Sequence, residues 1–261
     1  CSCLDEVDWV FLNYRGHAYY LAKGGDLARF FAELMGRSFG MSGGKAGSMH
    51  LASPEHGLIG ASAVVGSTIS HAVGSALADR IMLPGSEKVY VSTFGDGAME
   101  QGAMLESLNL AALYSVPVLF LCEDNGLAVH AEKKERQSFN IKKLVEAFGI
   151  KFISIGEGYD PMEVRRQIAP QISWMRKTRA PLFVKIDTCR YKEHVGPGED
   201  HEVGYRNIDA LQEWQRKDPL LSKTDDFSEL KRLITVEIDT AVEIAMRSPA
   251  PTAEDLFTDV I

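Results

Sequence analysis

The sequence predicts an α/β protein built on a doubly wound, mostly parallel sheet with helices on both faces. Three observations predict it. Strand-like and helix-like segments alternate from Lys88 to Cys189, the pattern of successive crossovers in a parallel sheet. Two of the apolar strand runs end in oxygen-bearing residues, Gly95-Asp96-Gly97 and Asp124-Asn125, at the carboxyl ends where such sheets bind ligands. The chain has 261 residues and 45% hydrophobic content, enough for one sizeable core, and it is expected to be a single domain over 1–261.

The elements follow in order. Val7-Asp8-Trp9-Val10-Phe11-Leu12 is a strand-like apolar run, and His17, just after it, is expected near a strand end. Asp26 to Gly36 reads as a helix with Asp26 as N-cap and an apolar stripe of Leu27, Phe30, Phe31 and Leu34. Glycines cluster from Gly36 to Gly66, which reads as a long loop where backbone approaches something closely. Ser67 to Leu83 is a helix rich in small residues, ended by Pro84-Gly85.

Lys88–Phe94 is a strand, Met99–Tyr114 a helix and Pro117–Cys122 the next strand. Ile141–Phe148 is a helix, Lys151–Ile155 a short strand, and Pro161–Lys177 a helix in which Pro170 could force a break. Pro181–Cys189 closes the series of strands. Tyr191–Tyr205 is glycine-rich, charged and short of apolar anchors, so a mobile loop is expected. Asp209 to Arg247 reads as helical, part of a C-terminal extension over 209–261.

A net charge of −8, from 28 basic against 36 acidic residues, disfavours nucleic acid and anionic membranes as partners. No run is apolar for about 18 residues, so no membrane span is expected. Cys1, Cys3, Cys122 and Cys189 are few for this length and point to a reduced, cytoplasmic setting. The chain opens on Cys and soon enters the apolar run from Val7 to Leu12, and residues upstream of Cys1 are expected in the native protein.

The chemistry concentrates between Gly95 and Asn125. Gly95-Asp96-Gly97 is followed by 26 residues and then Asp124-Asn125. Two adjacent parallel strands would each bring one oxygen ligand, Asp96 and Asn125, to the same sheet edge. That suits a hard divalent cation such as Mg²⁺, whose shell phosphates usually complete. The glycines let a diphosphate approach the backbone, and a helix starting near Met99 would turn its positive end to that anion.

This spacing resembles the signature of thiamine diphosphate enzymes. The surrounding wording is similar to the alpha chain of the decarboxylating component of 2-oxo acid dehydrogenase complexes, in its pyruvate, acetoin and branched-chain members. The residues that carry the resemblance are Gly43-Gly44-Lys45-Ala46-Gly47-Ser48-Met49-His50, Glu123-Asp124-Asn125-Gly126, and Arg190-Tyr191 with His194. It extends from about Asp8 to the C-terminus.

The resemblance implies that Asp96, Asn125 and the backbone carbonyl of Leu127 hold Mg²⁺. It implies that Tyr14, Arg15 and Arg190 meet the diphosphate, with Gly95, Gly97 and Ala98 lining it. Ala63 and Val65 fall where the family's backbone meets the aminopyrimidine, and His17 and His194 match two active-site histidines. It further implies decarboxylation of a 2-oxo acid, or cleavage of acetoin, with acyl transfer to a lipoyl group on an acyltransferase partner. A beta subunit would complete the active site in an α2β2 assembly, and the small residues from Gly66 to Ala78 would suit close helix packing at that contact.

The sequence departs from the family at Asp124, where Asn is usual, and at Leu127, where Tyr is frequent. Val195-Gly196-Pro197-Gly198-Glu199-Asp200-His201 lacks the serine-rich phosphorylatable stretch, although Tyr205-Arg206 matches its end. Two rival readings stand beside the oxidative one. One is a carboligase or transketolase-like subunit that joins carbonyl fragments with the same cofactor. The other is a non-catalytic binding subunit.

Overall fold

The computed structural model describes residues 1–222 and 227–258. In chain order the elements are β1 (Trp9–Asn13), α1 (His17–Ala22), α2 (Leu27–Leu34), β2 (Leu58–Ser62), α3 (Ser67–Met82), β3 (Tyr90–Gly95), α4 (Gly102–Leu113), β4 (Val118–Asp124) and the two-residue strands β5 (Leu127–Ala128) and β6 (Ala131–Glu132). Then come α5 (Lys133–Arg136), α6 (Ile141–Ala147), β7 (Lys151–Ile155), α7 (Pro161–Thr178), β8 (Leu182–Asp187), α8 (Ile208–Lys217), α9 (Pro219–Ser222) and α10 (Ser228–Arg247). Contacts divide the chain into two compact units. One comprises Ser2–Phe11 with residues 65–222, the other Leu12–Val64 with residues 227–258. Of the extension expected over 209–261, residues 223–226 and 259–261 lie outside the described residues.

The larger unit holds the parallel sheet, in the order β1-β3-β4-β8-β7. Gly95 stands opposite Glu123 and Asp124 opposite Asp187, so β3, β4 and β8 end together at one edge. Val118 to Cys122 are all buried, as are Leu182 to Val184. Strands covered on both faces must read as unbroken apolar runs, which is why these segments were recognisable. Phe183 anchors the core, with ring centroids 5.9 Å from Phe94, 6.3 Å from Phe120 and 5.5 Å from Phe152. At the opposite edge the buried Asp8 carboxylate is held by Arg176 and accepts from the Val89 N–H at 2.9 Å. The doubly wound parallel architecture expected from the sequence is the one observed, with α4 and α7 as crossovers.

Several boundaries differ from expectation, each for a local reason. The helix expected from Met99 starts at Gly102, because Asp96–Glu100 first turns as a 3-10 helix. A helix dipole therefore does not begin at the Gly95-Asp96-Gly97 turn itself. The helix through Pro170 is unbroken from Pro161 to Thr178. The segment after Asp209 is helical as expected and, among the described residues, runs as α8, α9 and α10. Asp218, held extended at φ −69° and ψ 117° in front of Pro219, ends the first of them, as the residue before a proline commonly does.

The smaller unit is built on α2 and α10, which pack against each other. Asp26 caps α2 as expected, accepting from the Arg29 N–H at 2.7 Å. Ala241 and Ala245 are the buried residues of α10, small enough to let the helices approach. Phe30 of α2 stacks on Tyr20 of α1 at 5.7 Å. The glycine-rich stretch is not all loop, since it contains β2.

Candidate active site

In the larger unit, Asp96 lies one residue past β3 and is fully buried. Its Oδ2 is bonded by the Arg136 guanidinium, while Oδ1 is buried and has no hydrogen-bond partner among the described residues. Burial pushes this carboxyl above the ordinary range. The Arg136 bond draws it back, and the nearby Asp124 charge raises it further. A buried carboxylate oxygen without a donor is costly, and a cation is the partner that would satisfy it.

Asp124 closes β4 and is also buried. Its Oδ1 accepts from the Gly126 N–H at 3.1 Å, and its Oδ2 is paired with Lys133. Asn125 follows, and its Oδ1 accepts from the Leu127 N–H at 2.9 Å. An amide oxygen has two lone pairs, so this turn bond leaves one for a further partner. Leu127 opens the β5–β6 hairpin, which folds back over the turn after β3. A Cβ on Gly97 would come within 3.1 Å of the Ala128 Cβ, so glycine there permits the hairpin's close approach. The donor set is carboxylate, amide and carbonyl oxygen, which matches Mg²⁺ and a diphosphate in chemistry.

Sequence reasoning missed the cations that border this set. Arg136 donates to Asp96 and Glu100 and, through Nε, to the Ala131 carbonyl at 3.1 Å. Gln137 Nε2 donates to the Asp96 carbonyl and to Glu100, both at 2.9 Å. Burial works against the Arg136 charge, but the bonds to Asp96 and Glu100 hold its guanidinium above its ordinary value. The available signal was the basic run Lys133-Lys134-Glu135-Arg136 shortly after an acidic strand end, stabilised by a capping box between Glu132 and Glu135.

Arg190 follows β8, with its side chain only 8% exposed. It donates to the Val129 carbonyl at 2.9 Å, tying it to the hairpin that carries Leu127. It also pairs with Asp200 at 3.0 Å and meets the Tyr205 hydroxyl. Asp200 is buried and is bonded by Arg206 as well. The Tyr191–Tyr205 segment, expected to be a mobile loop short of apolar anchors, has a polar one. It also contains a 3-10 turn over His201–Val203. His194 lies half-buried in this segment.

The structure thus gathers Gly95, Asp96, Gly97, Ala98, Asn125 and Leu127, with Arg190 bonded to the same hairpin. Val65 is exposed just before α3. Tyr14, Arg15, His17 and Ala63 belong to the smaller unit. There the Arg15 guanidinium lies 5.0 Å from the Tyr14 ring centre. His17 is the first residue of α1 rather than a strand end, because β1 stops at Asn13 and a turn intervenes.

A parallel sheet with an oxygen donor set at the carboxyl ends of two neighbouring strands defines a class of protein that binds a cation-held diphosphate. Residues 2–250 match the dehydrogenase E1 component family. The chain is 32% identical over 269 residues to the alpha subunit of acetoin:2,6-dichlorophenolindophenol oxidoreductase of Bacillus subtilis, covering 100% of this chain and 80% of that one. It is 30% identical to the pyruvate dehydrogenase E1 component alpha subunit of Zymomonas mobilis, covering 97% and 73%. With that of Porphyra purpurea the identity is 29%, over 97% and 77%. Among solved structures it resembles transketolase of Campylobacter jejuni, with a TM-score of 0.53 at 22% identity, over 69% of this chain and 29% of that one. That likeness concerns the fold alone. The chain belongs to the dehydrogenase E1 component family.

Proposed function

We propose that this chain is the alpha subunit of a thiamine diphosphate- and Mg²⁺-dependent enzyme. It would decarboxylate a 2-oxo acid, or cleave acetoin, and pass the acyl group to a lipoyl acceptor. The observation that carries the reading is the Oδ1 of Asp96, buried and without a hydrogen-bond partner among the described residues, past the end of the strand that pairs with the one leading to Asn125. Asp96, Asn125 and the Leu127 carbonyl would hold the cation. Tyr14, Arg15 and Arg190 would bind the diphosphate, since the planar guanidinium fork pairs with phosphate oxygens. Gly95, Gly97 and Ala98 would line it, and the backbone at Ala63 and Val65 would meet the aminopyrimidine.

When bound, the cofactor supplies a carbon nucleophile and an electron sink. The chain's own part is to orient the 2-oxo acid and to move protons. His17 and His194 are assigned that second task, because imidazole exchanges protons near neutrality. A beta subunit would complete the active site, giving an α2β2 assembly, and a lipoyl-bearing acyltransferase would accept the acyl group. The small residues of α3 would allow close approach of the beta subunit. A cytoplasmic setting is proposed from the small number of cysteines.

Calorimetric titration of thiamine diphosphate, with and without Mg²⁺, tests the reading on the chain co-expressed with its beta subunit. Binding that needs Mg²⁺ and disappears in Asp96→Ala supports it. Binding that ignores both the metal and the substitution overturns it. Dye reduction with 2-oxo acids or acetoin then separates the oxidative reading from ligation of two carbonyl fragments.

A further inference from the structure

The smaller unit contains a buried carboxylate that the cation and diphosphate site does not use. Glu33, on α2, is 1% exposed. Its Oε2 accepts from the backbone N–H groups of Ser42 at 2.9 Å and Gly44 at 3.0 Å. Its Oε1 accepts from those of Ala46 at 2.8 Å and Gly47 at 2.9 Å. One carboxylate thus collects four main-chain donors from a single loop. The loop is shaped to allow it. Gly44 and Gly47 take positive φ values of 74° and 67°, and a Cβ on Gly44 would lie 2.6 Å from the Gly36 backbone.

The next residue along the loop is Ser48. Its hydroxyl lies 2.8 Å, and its carbonyl 3.2 Å, from His17 Nε2. On its other side the His17 ring meets Phe30 edge-on, with centroids 5.1 Å apart and planes at 80°. Phe30 sits one turn before Glu33 on α2. The same helix therefore holds the imidazole from two directions, by direct ring contact and through the loop that brings Ser48.

We propose that Glu33 is a positioning residue for His17, acting through the Ser42–Gly47 loop to place Ser48 against Nε2. The inference rests on the assignment of His17 to the active site. Ser48 fixes which imidazole nitrogen is engaged and in which plane the ring lies, so proton exchange falls to Nδ1. Glutamine at position 33 is close to isosteric but turns an NH₂ group toward two of the four N–H donors, so it cannot hold the loop in this shape. Alanine at position 48 leaves the loop backbone alone and removes only the hydroxyl.

Two readouts test this. The first is the ¹⁵N resonance pair of His17 in the histidine-labelled protein, which reports tautomer and hydrogen bonding without reference to turnover. Glu33→Gln and Ser48→Ala are expected to shift the Nε2 signal, with Ser48→Ala retaining the parent melting temperature. The second is a turnover cycle. Each variant should lower kcat by about 10- to 100-fold with the KM for the 2-oxo acid little changed, the scale of a misplaced proton-transfer group. On a His17→Ala background the same substitutions should have almost no further effect.

An unchanged His17 spectrum in Glu33→Gln overturns the positioning role, as does a Glu33→Gln loss that persists in full on the His17→Ala background. Wild-type turnover in His17→Ala removes the catalytic assignment instead, and the spectral arm still decides whether Glu33 places the ring.

Discussion

Replacing Asp200 with alanine should release the segment that carries His194. Asp200 is the single acceptor on which Arg190, Tyr205 and Arg206 converge, and the side chains of Asp200, Arg190 and Arg206 are 6%, 8% and 10% exposed. Truncation leaves two guanidinium groups side by side under cover with no counter-charge. Removing one partner of a buried ion pair costs about 3–5 kcal/mol. This latch lies just beneath the surface, so about 3 kcal/mol applies, which is a rise of about a hundredfold in the opened population. Arg206 also donates to the Tyr191 carbonyl at 3.3 Å, and Tyr205 meets the His130 ring at 4.7 Å, contacts that should slacken together. Amide hydrogen exchange over residues 191–206 measures the effect directly, and limited proteolysis after Lys192 gives an independent check. Unaltered protection across that stretch in Asp200→Ala would refute the reasoning. The pH dependence has a definite sign. Burial pushes the Asp200 carboxyl up, but the Arg206 and Arg190 charges outweigh it and hold the group below the ordinary carboxylate range. A depressed carboxyl contributes stability that is complete above its unfolded value of about 3.9 and is lost as pH falls through its folded value. The latch should therefore hold unchanged from about pH 5 to 8 and yield only in stronger acid.

His194→Ala should retain Mg²⁺-dependent binding of thiamine diphosphate but lose turnover or acyl transfer, measured by calorimetry and dye reduction on one preparation; normal turnover removes its assigned role. Asp8→Ala leaves the Val89 N–H without its acceptor and Arg176 with the exposed Asp5 carboxylate, 2.9 Å away, as its remaining counter-charge. It should lower stability by about 1–3 kcal/mol in denaturant titration, and a change within error of zero would show that the Val89 N–H is not buried in solution. Gly158→Ala places a Cβ 2.0 Å from the Asp187 carbonyl oxygen. Its melting temperature should fall by several degrees, as overpacking costs of about 1–3 kcal/mol imply; an unchanged value would mean that the turn after β7 does not dock on β8 as described.

The fold was legible because the central strands carry their environment in their own composition. Val118 to Cys122 is apolar throughout since both faces are covered, and the polar residues at its end, Asp124 and Asn125, therefore stand out. The proposed cation ligands stand out for the same reason: they are strung along two strand ends whose separation in sequence reflects one crossover. Boundaries were less legible where a local signal competed with periodicity. The apolar spacing of α4 extends back to Met99, but the chain is still completing the 3-10 turn begun at Asp96. Pro170 looked like a break, yet α7 continues through it, while Pro219 stops α8 through the conformation it imposes on Asp218.

What the sequence hid is charge pairing at long range. Asp96 and Arg136 are 40 residues apart, and no periodicity links them, since an arginine serves a buried carboxylate from wherever a turn delivers it. The pairing exists because the β5–β6 hairpin reverses the chain soon after Asn125, bringing α5 back against the turn that follows the neighbouring strand β3. The same holds for Glu33, whose partners are backbone N–H groups and leave no mark in residue identity beyond the glycines that free the loop to curl around it. Sequence reasoning placed Asp96 at a strand end and gave Glu33 no role, while what holds each of them depends on which donors the fold presents. The proposed cation ligands are found at strand ends by pattern; the groups that hold them in register are found only once the turns are known.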